Sequence, residues 1–362
     1  MKIAVVGGGI YGVTISLELS DTGHNVDLFE KEDEIMTAAS SINQWRLHRG
    51  YHYPRSDETA ESCRRNEPLF KDYFEDAVVS DTEHHYCIAS NRTKTTPDEF
   101  VAHCEKHNLH YDQTNLDLVN DERVALTVRV EEDRVDPYRL KRNCRRRLDE
   151  SEVTVHLDTP VSVDDGTLND YDHVVVATYA NSNRTLNGAD ALRRDLKFQL
   201  VEKPVVELPK RFHRKSVVVM DGPFMCFDPY GRTGNFLLGH VVHAVHSTIV
   251  GQEPQYDDIF GPMLNAGIVE DPPVTNFEKF RRSGANYIPG LAEAEHIGSM
   301  FTIRAVLPNV EGTDKRPTVL NQSDRVTRVF SGKFVNCVEA ANTIVERLTG
   351  LTRNNSPSGP ER

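Results

Sequence analysis

The chain has 362 residues, of which 38% are hydrophobic, and its formal net charge is −13 at pH 7. This length exceeds the size that one hydrophobic core usually serves, so we expect two domains. The acidic charge argues against nucleic acid as a partner and against anionic membrane surfaces. No apolar run approaches the ~20 residues of a membrane-spanning helix, and no signal-peptide pattern opens the chain. We therefore predict a cytoplasmic protein without an integral membrane segment.

The six cysteines are scattered along the chain, and none belongs to a C-x-x-C pair or to a zinc-ligand spacing. We therefore expect neither a disulfide framework nor a metal site. The series His240, His243 and His246 is the pattern that most resembles a metal ligand set. Because no carboxylate or cysteine adjoins it, we expect these histidines in the core, at the surface or along a substrate cavity.

The N-terminus carries the most informative pattern. A short apolar strand is predicted over Lys2–Val6, and an apolar helix over residues 13–20. Between them stand Gly7, Gly9 and Gly12, the glycines of a G-x-G-x-x-G pattern. They permit a tight turn, the approach of a pyrophosphate to the backbone, and close packing of helix on strand. The N-terminus of the helix also attracts phosphate.

A second strand is predicted over Asn25–Phe29, and it ends at Glu30. A carboxylate at this distance from the glycines accepts hydrogen bonds from ribose hydroxyls. The whole unit therefore predicts dinucleotide binding. The negative charge of Glu30 argues against the 2′-phosphate of NADP, which leaves FAD and NAD open.

The segments that follow alternate between helix and strand patterns. Residues 37–54 are rich in small, hydroxyl and ring side chains and are predicted to form a binding loop. Helices are predicted over 57–74, with Pro68 as an interruption, then from Thr96, from Pro137, from Phe277 and over 335–348. Strands are predicted over 85–89, 153–157, 174–177 and 326–330, and over 216–220, 224–227 and 235–240 within an antiparallel region at 196–295.

Four blocks of the sequence resemble one known family. They are the glycine unit with Glu30, the stretch from Ser40 and Ser41 through Leu47-His48-Arg49-Gly50-Tyr51-His52-Tyr53, the segment from Val135-Asp136-Pro137 to Val161, and residues 301–333 with Arg304 and Ser331-Gly332-Lys333. In these blocks, over nearly its whole length, the chain resembles the D-amino-acid-oxidase-like family of FAD-dependent oxidoreductases. That family includes glycine oxidase, sarcosine oxidase and 2-hydroxyglutarate dehydrogenase.

The resemblance implies an α/β fold with two domains. The first is a discontinuous Rossmann-like FAD-binding domain formed by residues 1–80, 135–195 and 296–350. The second is a mainly antiparallel β-sheet substrate domain with helices, formed by residues 81–134 and 196–295. Residues 351–362 are polar and contain Pro and Gly, so a disordered tail is expected.

The resemblance also implies which residues contact FAD. Tyr179 departs from the family pattern, which has a glycine there, and Lys333 is unusual inside its turn. Lys333 would either neutralise the negative charge of the reduced flavin or lie at the surface. Covalent attachment of the flavin to His48 or Cys337 has no supporting motif. The implied cofactor-binding residues are Gly7, Gly9, Gly12, Glu30, Ser40, Ser41, Val161, Gly332 and Lys333.

In this family the flavin accepts a hydride from a carbon that bears an amine or a hydroxyl. The resemblance therefore implies a small polar substrate such as an amino acid, an amine or a 2-hydroxy acid. His48 is the candidate proton acceptor, or else a residue that packs beside the flavin. Arg304 is the candidate anchor for a carboxylate or phosphate, or else part of a structural salt bridge. Arg46, Tyr51 and Tyr53 are further substrate-binding candidates, with structural roles as the alternative.

Two other functions stay open at this point. An NAD-dependent dehydrogenase would use the same N-terminal unit, and a flavin-binding protein without turnover would keep the fold. The electron acceptor is equally open between oxygen, a quinone and a carrier protein.

Overall fold

The computed structural model of the chain describes residues 1–222, 225–310 and 312–350 and has a mixed α/β architecture. The helices are α1 (Ile10–Asp21), α2 (Asp57–Tyr73), α3 (Pro97–Lys106), α4 (Pro137–Asp149), α5 (Ser182–Thr185), α6 (Phe277–Ala285) and α7 (Cys337–Thr349). The strands are β1 (Lys2–Val6), β2 (Asn25–Phe29), β3 (Arg46–Leu47), β4 (Val78–Val79), β5 (Glu83–Ala89), β6 (Tyr111–Gln113), β7 (Val124–Val130), β8 (Asp133–Val135), β9 (Thr154–His156), β10 (His173–Val176), β11 (Leu196–Glu207), β12 (Lys215–Met220), β13 (Met225–Pro229), β14 (Phe236–His240), β15 (Val245–Gly251), β16 (Glu295–Val306), β17 (Thr318–Ser323) and β18 (Val326–Ser331).

The first sheet has six strands in the order β17-β18-β10-β1-β2-β9. All neighbouring pairs are parallel except β17 with β18. Because side chains alternate along a strand, Ile3 and Val5 of β1 enter the core shared with α1, α4 and α7. Ala4 and Val6 face the other side of the sheet, where they pack with Val174 and neighbouring apolar residues. Both faces are covered, as parallel sheets require.

The second sheet has nine strands in the order β15-β11-β14-β13-β12-β5-β7-β6, and β16 pairs with β11. Its pairs are antiparallel apart from the parallel pair β12 and β5. A small third sheet joins β3, β8 and β4. The architecture confirms the fold class expected from the sequence, a Rossmann-like unit combined with a sheet of mainly antiparallel strands.

Local patterns account for several element boundaries. In α4, Asp136 accepts hydrogen bonds from the backbone of Tyr138 and Arg139, and Pro137 occupies the first turn. In α3, Thr96 and Glu99 form a reciprocal capping box. These two helices begin where the sequence predicts them.

Other boundaries differ from the sequence predictions. Pro68 was expected to interrupt a helix, and this was wrong, because α2 continues through it to Tyr73. The buried side chains of Ala60, Cys63 and Phe70 hold α2 on the core, which offsets the backbone hydrogen bond that proline cannot donate. Of the strand predicted over 224–227, Phe224 lies outside the described residues, and so does the expected tail at 351–362. Among the described helices, none is long and apolar enough to cross a membrane.

Candidate active site

A cavity of about 1120 Å³ lies between the first and second sheets. On one side it is lined by Gly7, Glu30 and Thr178, which stand just beyond the carboxyl ends of the parallel strands β1, β2 and β10. Ligands of parallel α/β sheets bind at this edge. On the other side it is lined by Lys203 of β11 and Arg304 of β16. Its volume exceeds the ~300–1,000 Å³ typical of pockets for one small molecule.

The glycine turn at this edge has room for backbone only. Gly7 has φ +108°, and a Cβ there would lie 2.9 Å from the carbonyl oxygen of Ala177. A Cβ on Gly9 would lie 2.9 Å from Ser40 Oγ, and a Cβ on Gly12 would lie 1.8 Å from the carbonyl oxygen of Gly7. Gly9 precedes α1 without a side-chain cap, and Gly7, Gly9 and the first residues of α1 line the cavity. The turn therefore fits a pyrophosphate, because its glycines keep side chains out of the turn itself and the helix N-terminus faces the cavity.

The Glu30 carboxylate is fixed by the backbone beside this turn. It accepts hydrogen bonds from the N–H of Gly8 at 2.6 Å and of Glu32 at 3.0 Å. Val161 lines the cavity as well, in a segment whose Thr159 N–H donates to the Glu30 carbonyl at 2.8 Å. An acidic side chain and a backbone segment therefore meet where the adenosine half of a dinucleotide would extend from the turn, and these residues fit FAD.

The binding loop contacts the same turn through one of its two predicted serines. Ser40 lines the cavity, and its Oγ accepts a hydrogen bond from the N–H of Ile10 at 3.0 Å. Ser41 is not among the lining residues, and its hydroxyl donates to the Met36 carbonyl within the loop. Sequence reasoning did not separate these two neighbours.

Lys333 is buried beside the cavity rather than placed at the surface. Its Nζ contacts Cys63 Sγ and stands 3.6 Å from the ring centre of Tyr53. Burial lowers the pKa of Lys333 below its usual value. Gly332 also lines the cavity, and the carbonyl of Lys333 accepts a hydrogen bond from the Tyr11 hydroxyl at 2.5 Å, which fixes the turn over α1. Both predicted residues of this turn therefore reach the cavity.

His48 lines the cavity with its ring partly exposed, at 20% of the side chain. Its Nδ1 lies 3.6 Å from Oε1 of the buried Glu132, which leaves Nε2 as the ring nitrogen that faces the cavity. The ring stacks on His52, with 4.7 Å between ring centroids. Burial, aided by the charges of Lys333 and Arg46, holds the pKa of His48 well below 6.5. His48 is therefore a neutral imidazole near pH 7, able to accept a proton.

Arg46 is enclosed under the cavity wall. Its guanidinium donates to Asp228 Oδ1 at 2.7 Å and to Ser216 Oγ, and lies 3.4 Å from Glu132 Oε2. The side chain is only 1% exposed. Glu132 also accepts from the Tyr86 hydroxyl at 3.0 Å. The charge of Arg46 is thus already matched by two protein carboxylates.

Arg304 is exposed within the cavity. Its Nε and Nη2 donate to Oε1 of Gln199 at 3.0 and 2.6 Å. Tyr179, with φ +47°, occupies a left-handed backbone position that favours glycine. The Tyr179 hydroxyl donates to the carbonyl of Ala305 at 2.9 Å and accepts from its N–H at 3.0 Å. This departure from the family pattern therefore holds the strand that carries Arg304.

The remaining candidates divide between the cavity and the core. Tyr53 lines the cavity, whereas Tyr51 is fully buried and donates from its hydroxyl to the His110 carbonyl at 2.5 Å. Cys337 is fully buried at the start of α7 and is not one of the lining residues. The H-x-x-H-x-x-H series divides into a stacked pair, His240 and His243, and a single ring, His246, that bonds elsewhere. His240 lies 2.8 Å from Ser283 Oγ, His246 lies 2.8 Å from Glu202 Oε2, and His243 stacks on His240.

Several residues of the site were not found from the sequence. His52 and Lys203 line the cavity, and Glu132 and Asp228 support its wall from beneath. No local signal singled out Lys203, because its strand also carries Lys197, Glu202 and Glu207. For Glu132 and Asp228 no local pattern exists, because their partners lie far away in the chain.

The fold and the glycine turn define a dinucleotide-binding protein of the Rossmann class. A sequence model of the FAD dependent oxidoreductase family (DAO) matches residues 2–330. The chain belongs to this family, is an FAD-dependent oxidoreductase, and takes FAD as its cofactor. The resemblance and the cofactor predicted from the sequence are thereby confirmed, and of FAD and NAD the family selects FAD.

The individual proteins that resemble this chain share only low sequence identity with it. The chain is 25% identical over 386 residues to the FAD-dependent monooxygenase kojA of Aspergillus flavus, and the match covers 98% of this chain and 87% of that protein. Glycine oxidase from Geobacillus kaustophilus has a similar structure, with a TM-score of 0.73, 14% identity, and 99% and 96% of the two chains covered. Glycerol-3-phosphate dehydrogenase from Bacillus halodurans, complexed with FAD, has a TM-score of 0.63 and 16% identity, with 99% of this chain and 67% of that chain covered. At these identities the solved structures establish the fold.

Proposed function

We propose that the protein oxidises the CH–NH or CH–OH carbon of a small amino acid, amine or 2-hydroxy acid. One observation carries this proposal. A neutral imidazole at His48 and an exposed guanidinium at Arg304 line the same cavity as the glycine turn that fits FAD. A proton acceptor, a carboxylate anchor and the cofactor are the three parts that such an oxidation needs.

Bound FAD would supply the hydride acceptor. Arg304 would hold the substrate carboxylate through its planar guanidinium and so orient the reacting carbon. His48 would take the proton from the substrate amine or hydroxyl at Nε2, with the Glu132 carboxylate 3.6 Å from its Nδ1. Tyr53 and His52 would exclude water from this end of the cavity. Arg46 would act as a structural cation rather than as a substrate contact.

The proposal is tested with the purified holoprotein. Its visible absorption spectrum is recorded before and after acid precipitation, and release of the flavin colour into the supernatant would identify non-covalent FAD. The holoprotein is then mixed anaerobically with panels of amines, amino acids and 2-hydroxy acids. We expect at least one panel to bleach the flavin band. If no compound bleaches it, the alternative of a flavin-binding protein without turnover replaces this proposal.

A second candidate function comes from the curated relatives. kojA, which matches 98% of this chain, is named an FAD-dependent monooxygenase. A monooxygenase would transfer an oxygen atom to its substrate and consume an external reductant, whereas the proposed oxidation needs neither. Mass spectrometry of the product formed under ¹⁸O₂ separates the two, because only a monooxygenase incorporates the label from oxygen. The same reaction run with a quinone dye in place of oxygen identifies the electron acceptor.

We also propose that the chain divides into an FAD domain and a substrate domain. The six-stranded sheet with α1, α4 and α7 would form the FAD domain, and the nine-stranded sheet would form the substrate domain. Residues 296–306, expected from the sequence in the FAD domain, would then belong to the substrate domain, because β16 pairs with β11. The six cysteines are all free and buried, which suits a reducing compartment and supports the proposed cytoplasmic location. Fractionation of source cells with an antibody against this chain would test that location.

A further inference from the structure

One wall of the cavity is a face of the second sheet. β11 and β16 are antiparallel, with Gln199 opposite Arg304 and Val201 opposite Thr302. Because alternate residues of a strand share a face, Lys203 lies on the same side as Val201. Val201, Lys203, Thr302 and Arg304 all line the cavity. Two cations therefore stand on one wall, on neighbouring strands.

These two cations have only amide partners. Lys203 donates from Nζ to Oε1 of Gln44 at 2.8 Å, and Arg304 donates to Gln199. Within the described part of the chain, neither forms an ion pair with a carboxylate. Arg55, on the same cavity, is by contrast paired with Asp221 and Asp314 at 2.7 and 2.6 Å. The protein neutralises Arg46 and Arg55 of this cavity with its own carboxylates, whereas Lys203 and Arg304 on the wall of the second sheet have none among the described residues.

The two charges also act on each other. Burial lowers the pKa of Lys203, and the positive charge of Arg304 lowers it further. The nearby Asp228 does little to neutralise the charge of Lys203, because its carboxylate already accepts hydrogen bonds from Arg46 and Ser216. A charge that loses water without gaining a counter-ion is costly. An anion delivered by the substrate removes that cost, which makes Lys203 a recognition element.

We propose that Lys203 forms a second anion subsite, so that the substrate carries two anionic groups, one bound by Arg304 and the other by Lys203. The chemical class is a small dicarboxylate, or a carboxylate with a phosphate, whose backbone bears the amine or hydroxyl to be oxidised. This inference rests on the proposed function, whose Arg304 anchor it extends.

The test uses the holoprotein and ligands that cannot be oxidised. Binding is followed by the shift that each ligand causes in the flavin absorption spectrum. Succinate is compared with butyrate, and glutarate with valerate, so that each pair differs by one carboxylate. 3-Phosphonopropionate reports whether a phosphorus acid replaces the second carboxylate. We expect each dianion to bind at least tenfold more tightly than its monoanionic partner.

Variants test whether Lys203 causes the preference for dianions. Lys203→Met should reduce the tenfold preference to less than twofold without changing monocarboxylate affinity or FAD content, and Lys203→Arg should retain the preference. Arg304→Gln should weaken both ligands of a pair. Lys197→Met is the matched control, because Lys197 is on the same strand but outside the cavity lining.

The inference is overturned if wild-type protein does not distinguish the pairs, if Lys203→Met keeps the preference, or if that variant loses FAD. Because the ligands are not oxidised, these outcomes are independent of the bleaching experiment. Bleaching by monocarboxylic amino acids with no effect of Lys203→Met would leave the proposed function standing and remove only the second subsite.

Discussion

At the scale of single residues, the site depends on a histidine that its surroundings keep uncharged. His48 contacts the cavity through one ring nitrogen, while its other nitrogen faces Glu132. Replacing His48 by Asn should lower kcat by roughly 10²–10⁴-fold, the usual contribution of a positioned general base. FAD content should stay unchanged. The measurement is steady-state kinetics on the best bleaching substrate, with His213→Asn as a surface control; a loss below tenfold would reduce His48 to a packing role.

The ion pair of Arg46 allows a prediction of stability. Replacing Arg46 by Met leaves Asp228 and Glu132 buried without their cation. Breaking a buried pair in this way costs about 3–5 kcal/mol of unfolding free energy. Urea denaturation of the variant measures the loss. Arg65→Met is the control, because Arg65 is 58% exposed in its pair with Glu339 and should cost less than about 1 kcal/mol. Equal losses in both variants would contradict the structural role of Arg46.

The residues that were foreseeable are those whose role depends on neighbours along the chain. Gly7, Gly9 and Glu30 belong to one short unit, so their spacing alone predicts what they bind. Lys203 and Glu132 gain their roles from partners more than 80 positions away, as in the contacts of Lys203 with Gln44 and of Glu132 with Arg46. No periodicity in one sequence reports such a pairing.

At the scale of elements, α1 and the turn before it form one tightly packed unit. A Cβ on Gly12 would lie 1.8 Å from the Gly7 carbonyl oxygen, so Gly12→Ala must push α1 away from β1. We expect a loss of roughly 3 kcal/mol of unfolding free energy and a purified protein without flavin colour. Gly251→Ala is the control, since a Cβ there meets nothing within 4 Å. Full FAD content in Gly12→Ala would show that the turn tolerates a displaced helix.

Helices could be predicted where an N-terminal capping residue is followed by apolar residues at helical spacing. α4 begins at Pro137 behind its Asp136 cap and buries Leu140, Cys144 and Leu148 in one stripe, as the sequence predicts. The third sheet was not predicted, because β3 and β4 have two residues each and β8 has three. Strands this short exist only through their tertiary pairing, which a local pattern does not encode.

At the scale of the whole molecule, buried neutral histidines make stability depend on pH. Burial holds the pKa values of His48, His52 and His84 well below 6.5. In the unfolded chain these groups bind protons below about pH 6.5, whereas the native protein does not. Stability is therefore complete above that pH and is lost as the pH falls, by up to about 1.4 kcal/mol per pH unit for each histidine.

Urea denaturation at pH 7.5, 6.5 and 5.5 measures this dependence. His84→Phe should reduce the slope of unfolding free energy against pH by the contribution of one histidine. The reason is that His84 is buried and its two ring nitrogens have no hydrogen-bond partner within the described part of the chain. His213→Phe is the control, since that ring is exposed at the surface. A slope unchanged by His84→Phe would assign the acid sensitivity to other groups.

The order of strands in the first sheet has a consequence for biosynthesis. β1 pairs with β2 and β10, and β10 in turn pairs with β18. A ribosome therefore makes the phosphate-binding turn first and the strand that completes its sheet more than 300 residues later. Until then the nascent chain carries an open sheet edge, which is a site for aggregation. FAD capture thus follows the synthesis of β18, and chains truncated before β18 should be degraded rather than accumulate as partial flavoproteins.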